Sequence, residues 1–174
     1  IRFTFPDAET ARIQIDLGRR IGQKERWLSH SRQSVRVVDE HTIEGFMFCS
    51  SKDGGWGHGA GKVTFTQHFC AVFSVPIKTF GVWDKDQVFE GQRSYEGTNT
   101  GFFVEFPTKK NDAVLLRAGF SYVSAEGARA NLAHDIPDWN FGGVLARSRA
   151  LWAEALKGVA CEGGNESERE IFAT

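Results

Sequence analysis

The segment that decides the fold is Val63-Thr64-Phe65-Thr66-Gln67-His68-Phe69-Cys70-Ala71-Val72-Phe73-Ser74-Val75. Its odd-numbered positions are apolar except for Gln67, whereas its even-numbered positions are mostly polar or small. Alternation with a period of two is typical of a β-strand that buries one face. Pro76 follows directly and ends the strand, because proline has no amide hydrogen to give to a neighbouring strand. The segment therefore predicts a long central strand of a β-sheet.

Shorter segments on either side of this strand repeat the alternation. Near the amino terminus, Ile13, Ile15 and Leu17 alternate with polar residues, and residues 18–32 then lose all periodicity and predict a long loop. Further strands are predicted at residues 35–37, 41–49, 79–83, 101–106 and 113–122. The turn at residues 109–112, Lys-Lys-Asn-Asp, predicts a hairpin between the last two strands.

The pattern changes from strands to helices at Ser124. Its hydroxyl can cap a short helix that runs to about Leu132, and a second helix with an apolar stripe is predicted from about 141 to 157. Asn165 and Glu168 have the spacing of a capping box at the start of a third helix. Many short strands followed by helices indicate a mainly β fold, an antiparallel, supersandwich-like β-sandwich followed by C-terminal linker helices.

Composition limits the classes of function. The 174 residues include fifteen Phe and five Trp, which suit broad packed sheet faces. A formal net charge of −1 supplies no overall field that would attract nucleic acid or an anionic membrane, so neither is predicted as a partner. The three cysteines form no CxxC pair and no disulfide-rich pattern, and we predict that Cys49 and Cys70 are small core residues.

Residues that could perform acid–base or metal chemistry are few and carry no defining motif. Glycoside hydrolysis needs two carboxyl groups across the scissile bond, and Glu90, Glu96 and Glu105 stand in no pattern that pairs them. We therefore predict that they are solvated, and that the chain itself holds no catalytic residue. His58 and His68 lie ten residues apart without the spacing of a metal motif, so no metal site is predicted.

A glycine-rich stretch, residues 54–61, offers the best ligand-facing candidates. It lacks the Lys-Ser/Thr and the following helix of a phosphate-binding loop. Trp56 and His58 are its two large side chains, and an aromatic ring on such a loop can stack on the apolar face of a sugar. We predict that Trp56 and His58 bind substrate, although a lone loop tryptophan is more often a local packing anchor.

Several segments together resemble glycoside hydrolase family 92, the calcium-dependent exo-acting α-mannosidases. Residues 118–132, AGFSYVSAEGARANL, are similar to the strand-to-helix signature of that family, and residues 136–141, IPDWNF, resemble its linker. Residues 3–6, FTFP, and 69–76, FCAVFSVP, resemble two of its strands, and Gly54-Gly55-Trp56 resembles one of its turns. The matches occur in family order over nearly the whole chain.

The resemblance implies an amino-terminal sandwich, residues 1–123, with a part preceding Ile1, then a helical linker, residues 124–164. It implies that residues 165–174 begin a helical catalytic domain whose acid, base and calcium ligands lie beyond Thr174. The expected activity is removal of terminal α-linked mannose from glycans with inversion. In that reading the sandwich forms one wall of the active site and the interface to its intrachain helical partner. The chain alone, without cofactor, is then inactive, and the enzyme is periplasmic, on the cell surface or secreted.

A second function class stays open. A non-catalytic carbohydrate-binding sandwich would also carry loop aromatics such as Trp56 and Trp83. Such a module does not need the linker helix or the start of a third helix, which favours the enzyme interpretation. A purely structural module is the third alternative, and sugar binding by the chain would argue against it.

Overall fold

The computed structural model describes residues 1–18, 32–50, 63–158 and 162–172. It has ten strands and three helices in this part of the chain. In order they are β1 Arg2–Thr4, β2 Thr10–Asp16, β3 Arg32–Val37, β4 Thr42–Cys49, β5 Phe65–Phe73, β6 Thr79–Asp84, β7 Gln87–Glu90, β8 Ser94–Gly97, β9 Thr100–Pro107, β10 Ala113–Ser121, α1 Ala125–Asp135, α2 Phe141–Leu156 and α3 Glu166–Phe172. The predicted antiparallel sandwich followed by helices is confirmed.

The strands form two antiparallel sheets. The six-stranded sheet has the order β1-β10-β5-β4-β3-β8, and the four-stranded sheet has the order β2-β9-β6-β7. The predicted central strand is β5, which pairs with β10 on one side and β4 on the other. Its apolar face, with Phe69, Ala71 and Phe73, packs in the core between the sheets, as the alternation predicts.

The core lies between the sheets and is rich in phenylalanine. Phe73 of β5 packs on Phe106 of β9 with ring centroids 5.3 Å apart, and Phe69 stacks on Phe102 at 6.2 Å. Gly45 faces Phe69 across β4 and β5, and a Cβ there would lie 1.9 Å from the Ser34 carbonyl oxygen. The glycine thus lets a large ring pack against the sheet.

The predicted hairpin at residues 109–112 is wrong. The turn exists, since the amide of Asp112 donates to the carbonyl of Lys109 at 3.0 Å. However, β9 belongs to the four-stranded sheet and β10 to the six-stranded sheet, so the turn connects the two layers. Phe5, which follows β1, holds the far side of the turn through hydrogen bonds with Asn111 and Asp112, both 3.1 Å. A tight turn alone does not tell whether the chain returns to the same sheet.

Helix α1 packs on the outer face of the six-stranded sheet. As predicted, the Ser124 hydroxyl caps it, accepting from the amide of Gly127 at 3.0 Å. Gly119 of β10 allows the close approach, because a Cβ there would lie 2.3 Å from the Ala128 carbonyl oxygen. Leu132 and Ala128 of α1 form a small second core with Cys70.

The chain divides into two compact units, Ile1–Trp139 and Asn140–Thr174. In the second unit, the Asn140 side chain caps α2 by accepting from the amide of Gly143 at 2.8 Å. The predicted capping box of α3 is confirmed, with reciprocal hydrogen bonds of 2.8 and 3.0 Å between Asn165 and Glu168. The predicted domain limits, 1–123, 124–164 and 165–174, stay predictions.

Candidate functional site

One end of the sandwich gathers the ends of strands from both sheets. This loop end consists of Asp16–Gly18, Arg32–Gln33, Phe48–Ser50, Trp83–Asp84 and Gly97–Gly101. The buried amide of Gln33 ties the sheets together there, because its Oε1 accepts from the backbone amide of Thr100 at 2.9 Å. A buried side-chain hydrogen bond of this kind fixes the relative position of the two layers.

The predicted substrate-binding residues, Trp56 and His58, lie outside the described residues. The strand before their segment, β4, ends at the loop end, and the strand after it, β5, begins there. The segment that carries them is therefore attached to the loop end of the sandwich. Their role in binding stays a prediction.

Asp84 organises the polar turns of the loop end. Its Oδ2 accepts from the Tyr95 hydroxyl and its Oδ1 from the Asn99 amide, both at 3.2 Å. Burial raises the pKa of Tyr95, and the adjacent Asp84 carboxylate raises it further. Both oxygens of the Asp84 carboxylate thus accept hydrogen bonds, which connect β6 to Tyr95 and Asn99.

The three candidate carboxylates do not share a site. Glu96 lies in the six-stranded sheet, where it pairs with Arg32 at 3.0 Å. Glu90 and Glu105 lie in the four-stranded sheet, and Glu105 pairs with Arg12 at 2.7 Å. The hydrogen bond from Arg12 lowers the pKa of Glu105. Each of these groups is on a sheet face or strand end, and none of them forms a facing pair in the described part of the chain.

Glu44 is a buried carboxylate that the sequence interpretation missed. Its side chain is only 2% exposed, and Oε2 accepts from Arg36 Nη2 at 3.0 Å. Oε1 lies 3.2 Å from Arg129 Nε, an ion pair whose angles fall short of a hydrogen bond. Glu44 thus links β3 and β4 to α1. The signal available in the sequence was its alternation with Ile43, which places Glu44 on the outer side of β4, whereas its pairing with Arg36 is seen only in the structure.

A cavity of about 540 Å³ opens beside α1 on the same face. Cys70 and Val72 of β5 contribute to it, together with Asp39, Arg117 and Arg129. The Arg117 guanidinium donates to the Ile136 carbonyl at 2.8 Å and stacks 4.2 Å from the Trp139 ring. The charged side chains that line this cavity are thus two arginines and one aspartate.

The cysteines and histidines in the described ranges show no metal or nucleophile arrangement. Cys49 and Cys70 are buried, as predicted. Burial, with a further contribution from Glu44, raises the pKa of Cys70 to about 11, which keeps the thiol protonated. His68 packs against Phe46 with ring centroids 6.0 Å apart. Within these ranges no three His, Cys, Asp or Glu side chains could hold a metal ion, so they do not fit a calcium site.

Trp83, which the carbohydrate-binding alternative counted as a loop aromatic, is a strand residue, in agreement with the strand predicted over residues 79–83. It lies in β6, and its side chain points to the outer face of the four-stranded sheet, because its neighbour Val82 is fully buried in the core. The sequence interpretation ended its strand at this residue and missed β7, which pairs Val88 with Trp83 and so continues the sheet.

Residues 1–121 match the model of the glycosyl hydrolase family 92 N-terminal domain. The chain belongs to glycosyl hydrolase family 92. No curated protein matches it. The part of this family 92 chain that the structure describes contains no helix with the length and hydropathy needed to cross a membrane.

Solved structures of the same family share the fold. A family GH92 α-mannosidase from Bacteroides thetaiotaomicron matches with a TM-score of 0.76 and 24% identity over 94% of this chain. A GH92 inverting mannosidase from the same organism matches with a TM-score of 0.73 and 19% identity, also over 94% of this chain. The matches cover 21% and 20% of those proteins, so this family 92 chain spans about a fifth of their length.

Proposed function

We propose that this chain is the sandwich domain of an enzyme that hydrolyses terminal α-linked mannose from glycans with inversion of configuration. The observation that carries the proposal is the family match over residues 1–121. The solved relatives with the same fold are called mannosidases, and one of them an inverting mannosidase. A mannose-containing glycan is therefore the proposed substrate.

In this proposal the two catalytic carboxyl groups lie outside the chain described here. Inversion needs an acid and a base roughly 6.5–9.5 Å apart, with a water between the base and the sugar. Glu90, Glu96 and Glu105 are distributed over two sheets and do not face a common cleft. The chain alone is then inactive.

The sandwich would supply one wall of the substrate pocket at its loop end. Trp56 would stack on the sugar and His58 would contact a hydroxyl group, since their segment is attached to this end. Exposed apolar side chains also follow one another at the end of β10: Phe120, Tyr122 and Val123. A cluster of this kind fits packing against another domain of the same chain. We assign that partner to the helical catalytic domain implied by the family resemblance.

Calcium and the location of the enzyme belong to the same proposal. The described residues offer no ligand set for Ca²⁺, so its ligands would come from the helical domain. A calcium ion there would supply a site for sugar hydroxyl groups. The enzyme would act outside the cytoplasm, where glycans of this type are accessible.

The test compares the full-length enzyme with this chain. Mannose release from α-mannosides is measured for both proteins, first with calcium and then with a chelator. We expect calcium-dependent release by the full-length enzyme and none by the chain. A folded full-length protein that releases no mannose from several linkages would instead favour the non-catalytic carbohydrate-binding sandwich, for which the sheet-face position of Trp83 provides an observation.

A further inference from the structure

The indole of Trp83 lies flat on the outer face of the four-stranded sheet. A Cβ placed on Gly101 of the adjacent strand would meet Cζ2 of Trp83 at 2.0 Å and Cη2 at 2.5 Å. The benzo part of the ring therefore rests directly on the β9 backbone. Since this is the outer side of the sandwich, the opposite face of the indole is turned away from the sheet, and the residue is half-buried.

A second ring extends this flat floor. The Phe103 ring rests on Gly81 in the same way, with 2.2 Å between its Cζ and a Cβ placed on that glycine. The Arg12 guanidinium covers Phe103 at 4.2 Å from the ring centroid, and Phe103 is only 2% exposed. Pairing of an aromatic ring with a cross-strand glycine stabilises a sheet by itself. Phe103 is fully accounted for by that role, whereas Trp83 is only half-buried.

Polar side chains stand beside the Trp83 ring on the same face. Asp16, Gly101 and Trp83 form one row across β2, β9 and β6. With strands about 4.8 Å apart, the Asp16 and Trp83 backbones are about 10 Å apart, and the indole extends over the strand between them. The Asp16 carboxylate is oriented because its Oδ1 accepts from the Gly18 amide at 2.8 Å. Gln14, one pleat further along β2, points to the same side, and both side chains are exposed.

We propose that this surface is a saccharide subsite, in which a pyranose ring stacks on Trp83 and its hydroxyl groups bind Asp16 and Gln14. The C–H face of a pyranose matches the open indole face in size and polarity. A carboxylate accepts hydrogen bonds from sugar hydroxyl groups, and an amide can both accept and donate. Arg12 on this face is paired with Glu105, whereas Asp16 and Glu90 add two carboxylates to the same face, which disfavours a polyanionic ligand.

The choice of sugar rests on the proposed function. Trp83 and Asp16 belong to the loop end, the end to which the Trp56 segment is attached. A glycan whose terminal mannose lies beside Trp56 could therefore extend over the sheet face, so the subsite would hold a second sugar of the chain. The ligand class is an α-mannoside.

The test uses this chain and methyl α-D-mannopyranoside as the probe. The five tryptophans give separate indole N–H signals in a nitrogen–proton correlation spectrum, and Trp83→Phe assigns one of them by its disappearance. We expect the Trp83 signal to shift progressively during titration with the mannoside. A Trp83 signal that does not move throughout the titration overturns the subsite.

Two exposed side chains test the subsite without disturbing the packing of Trp83. Asp16→Asn and Gln14→Ala should each weaken binding about tenfold, the loss expected for one hydrogen bond from a hydroxyl group to these side chains. Asp7→Asn, an exposed aspartate just before β2 at the opposite end of the sheet, should leave the affinity unchanged. Wild-type affinity in both Asp16→Asn and Gln14→Ala also overturns the subsite.

Failure of the subsite and failure of the proposed function have different signatures. Mannose release by the full-length enzyme with a silent Trp83 signal overturns the subsite alone. A shifted Trp83 signal without mannose release by the full-length enzyme overturns the mannosidase proposal and leaves the subsite in place.

Discussion

At the scale of single residues, Glu44 stands out because its ionisable side chain is only 2% exposed. Its carboxylate is buried between two arginines that remain about half exposed. We predict that Glu44→Gln lowers the free energy of unfolding by about 1–3 kcal/mol, because the charged hydrogen bond to Arg36 and the ion pair to Arg129 are lost. Urea unfolding measures the difference.

The matched control is Glu96→Gln, which removes a 3.0 Å ion pair with Arg32 at an exposed position. That change should cost less than about 0.5 kcal/mol, because water replaces a surface ion pair easily. Equal effects of the two substitutions would contradict a linking role for Glu44. A double-mutant cycle with Arg129 should give a coupling of about 1 kcal/mol.

Cys70 supports a prediction about reactivity and pH. Burial raises the pKa of its thiol from the ordinary 9.0 to about 11, so the native protein keeps the proton that the unfolded chain releases. Its contribution to stability is complete below pH 9 and is lost as the pH rises from 9 to 11. Cys70→Ala should flatten the pH dependence of unfolding in this window.

Thiol labelling measures the same effect independently. In a Cys161→Ser variant, only the buried Cys49 and Cys70 remain, and at pH 8 both should react on the order of a hundredfold more slowly than in urea. Rapid labelling of the folded protein would show that Cys70 is accessible and would contradict the assignment.

At the scale of elements, the contact between α1 and the sheet depends on Gly119. An added methyl group would collide with the Ala128 carbonyl oxygen and with Leu132 Cβ, at 2.3 and 2.6 Å. We predict that Gly119→Ala costs about 2–3 kcal/mol, because the helix backbone must move away from β10. Hydrogen exchange should show loss of protection in α1, with β2 and β9 unaffected.

Gly142→Ala serves as the control for the glycine substitution itself. Its nearest neighbour would be 3.9 Å from the new Cβ, and it lies in the first turn of α2. The change should be neutral or stabilise by up to about 1 kcal/mol. Retained protection of α1 in Gly119→Ala would contradict the close packing described here.

The elements that could be predicted from sequence are those with a strong local signal. Strand β5 has nine residues of clear alternation, and α1 directly follows Ser124, whose hydroxyl caps it. Strands β7 and β8 have only four residues each, too few for a period to be recognised. The 109–112 turn was misassigned because the sheet to which β10 belongs is decided by long-range pairing with β1 and β5.

The candidate site, too, could be predicted from the sequence only in part. The family motifs led to the correct family, because ordered short matches accumulate along the chain. Glu44 and Trp83 were missed or misplaced, since their roles depend on cross-strand neighbours: Arg36 for the first, Gly101 and Asp16 for the second. The alternation within a strand determines which side chains share a face, but it does not specify which strand lies beside it, so these cross-strand neighbours could not be predicted.

At the scale of the whole molecule, the polar contacts between turns described above lie at the loop end of the sandwich. Gln33 and Asp84 fix the turns there, and the segment bearing Trp56 is attached to it. In the proposed enzyme, a helical domain closes this end and supplies the carboxyl groups. The sandwich then contributes positioning and stacking surfaces, and the chemistry depends on the combined protein.

The anomeric form of the first product tests this account most directly. The full-length enzyme is mixed with an α-mannoside, and the released mannose is followed by proton NMR before it mutarotates. We predict that β-mannose is formed first, because one displacement by water inverts the anomeric carbon. Initial formation of α-mannose would contradict inversion, and no release of mannose by the folded enzyme would contradict the proposed activity.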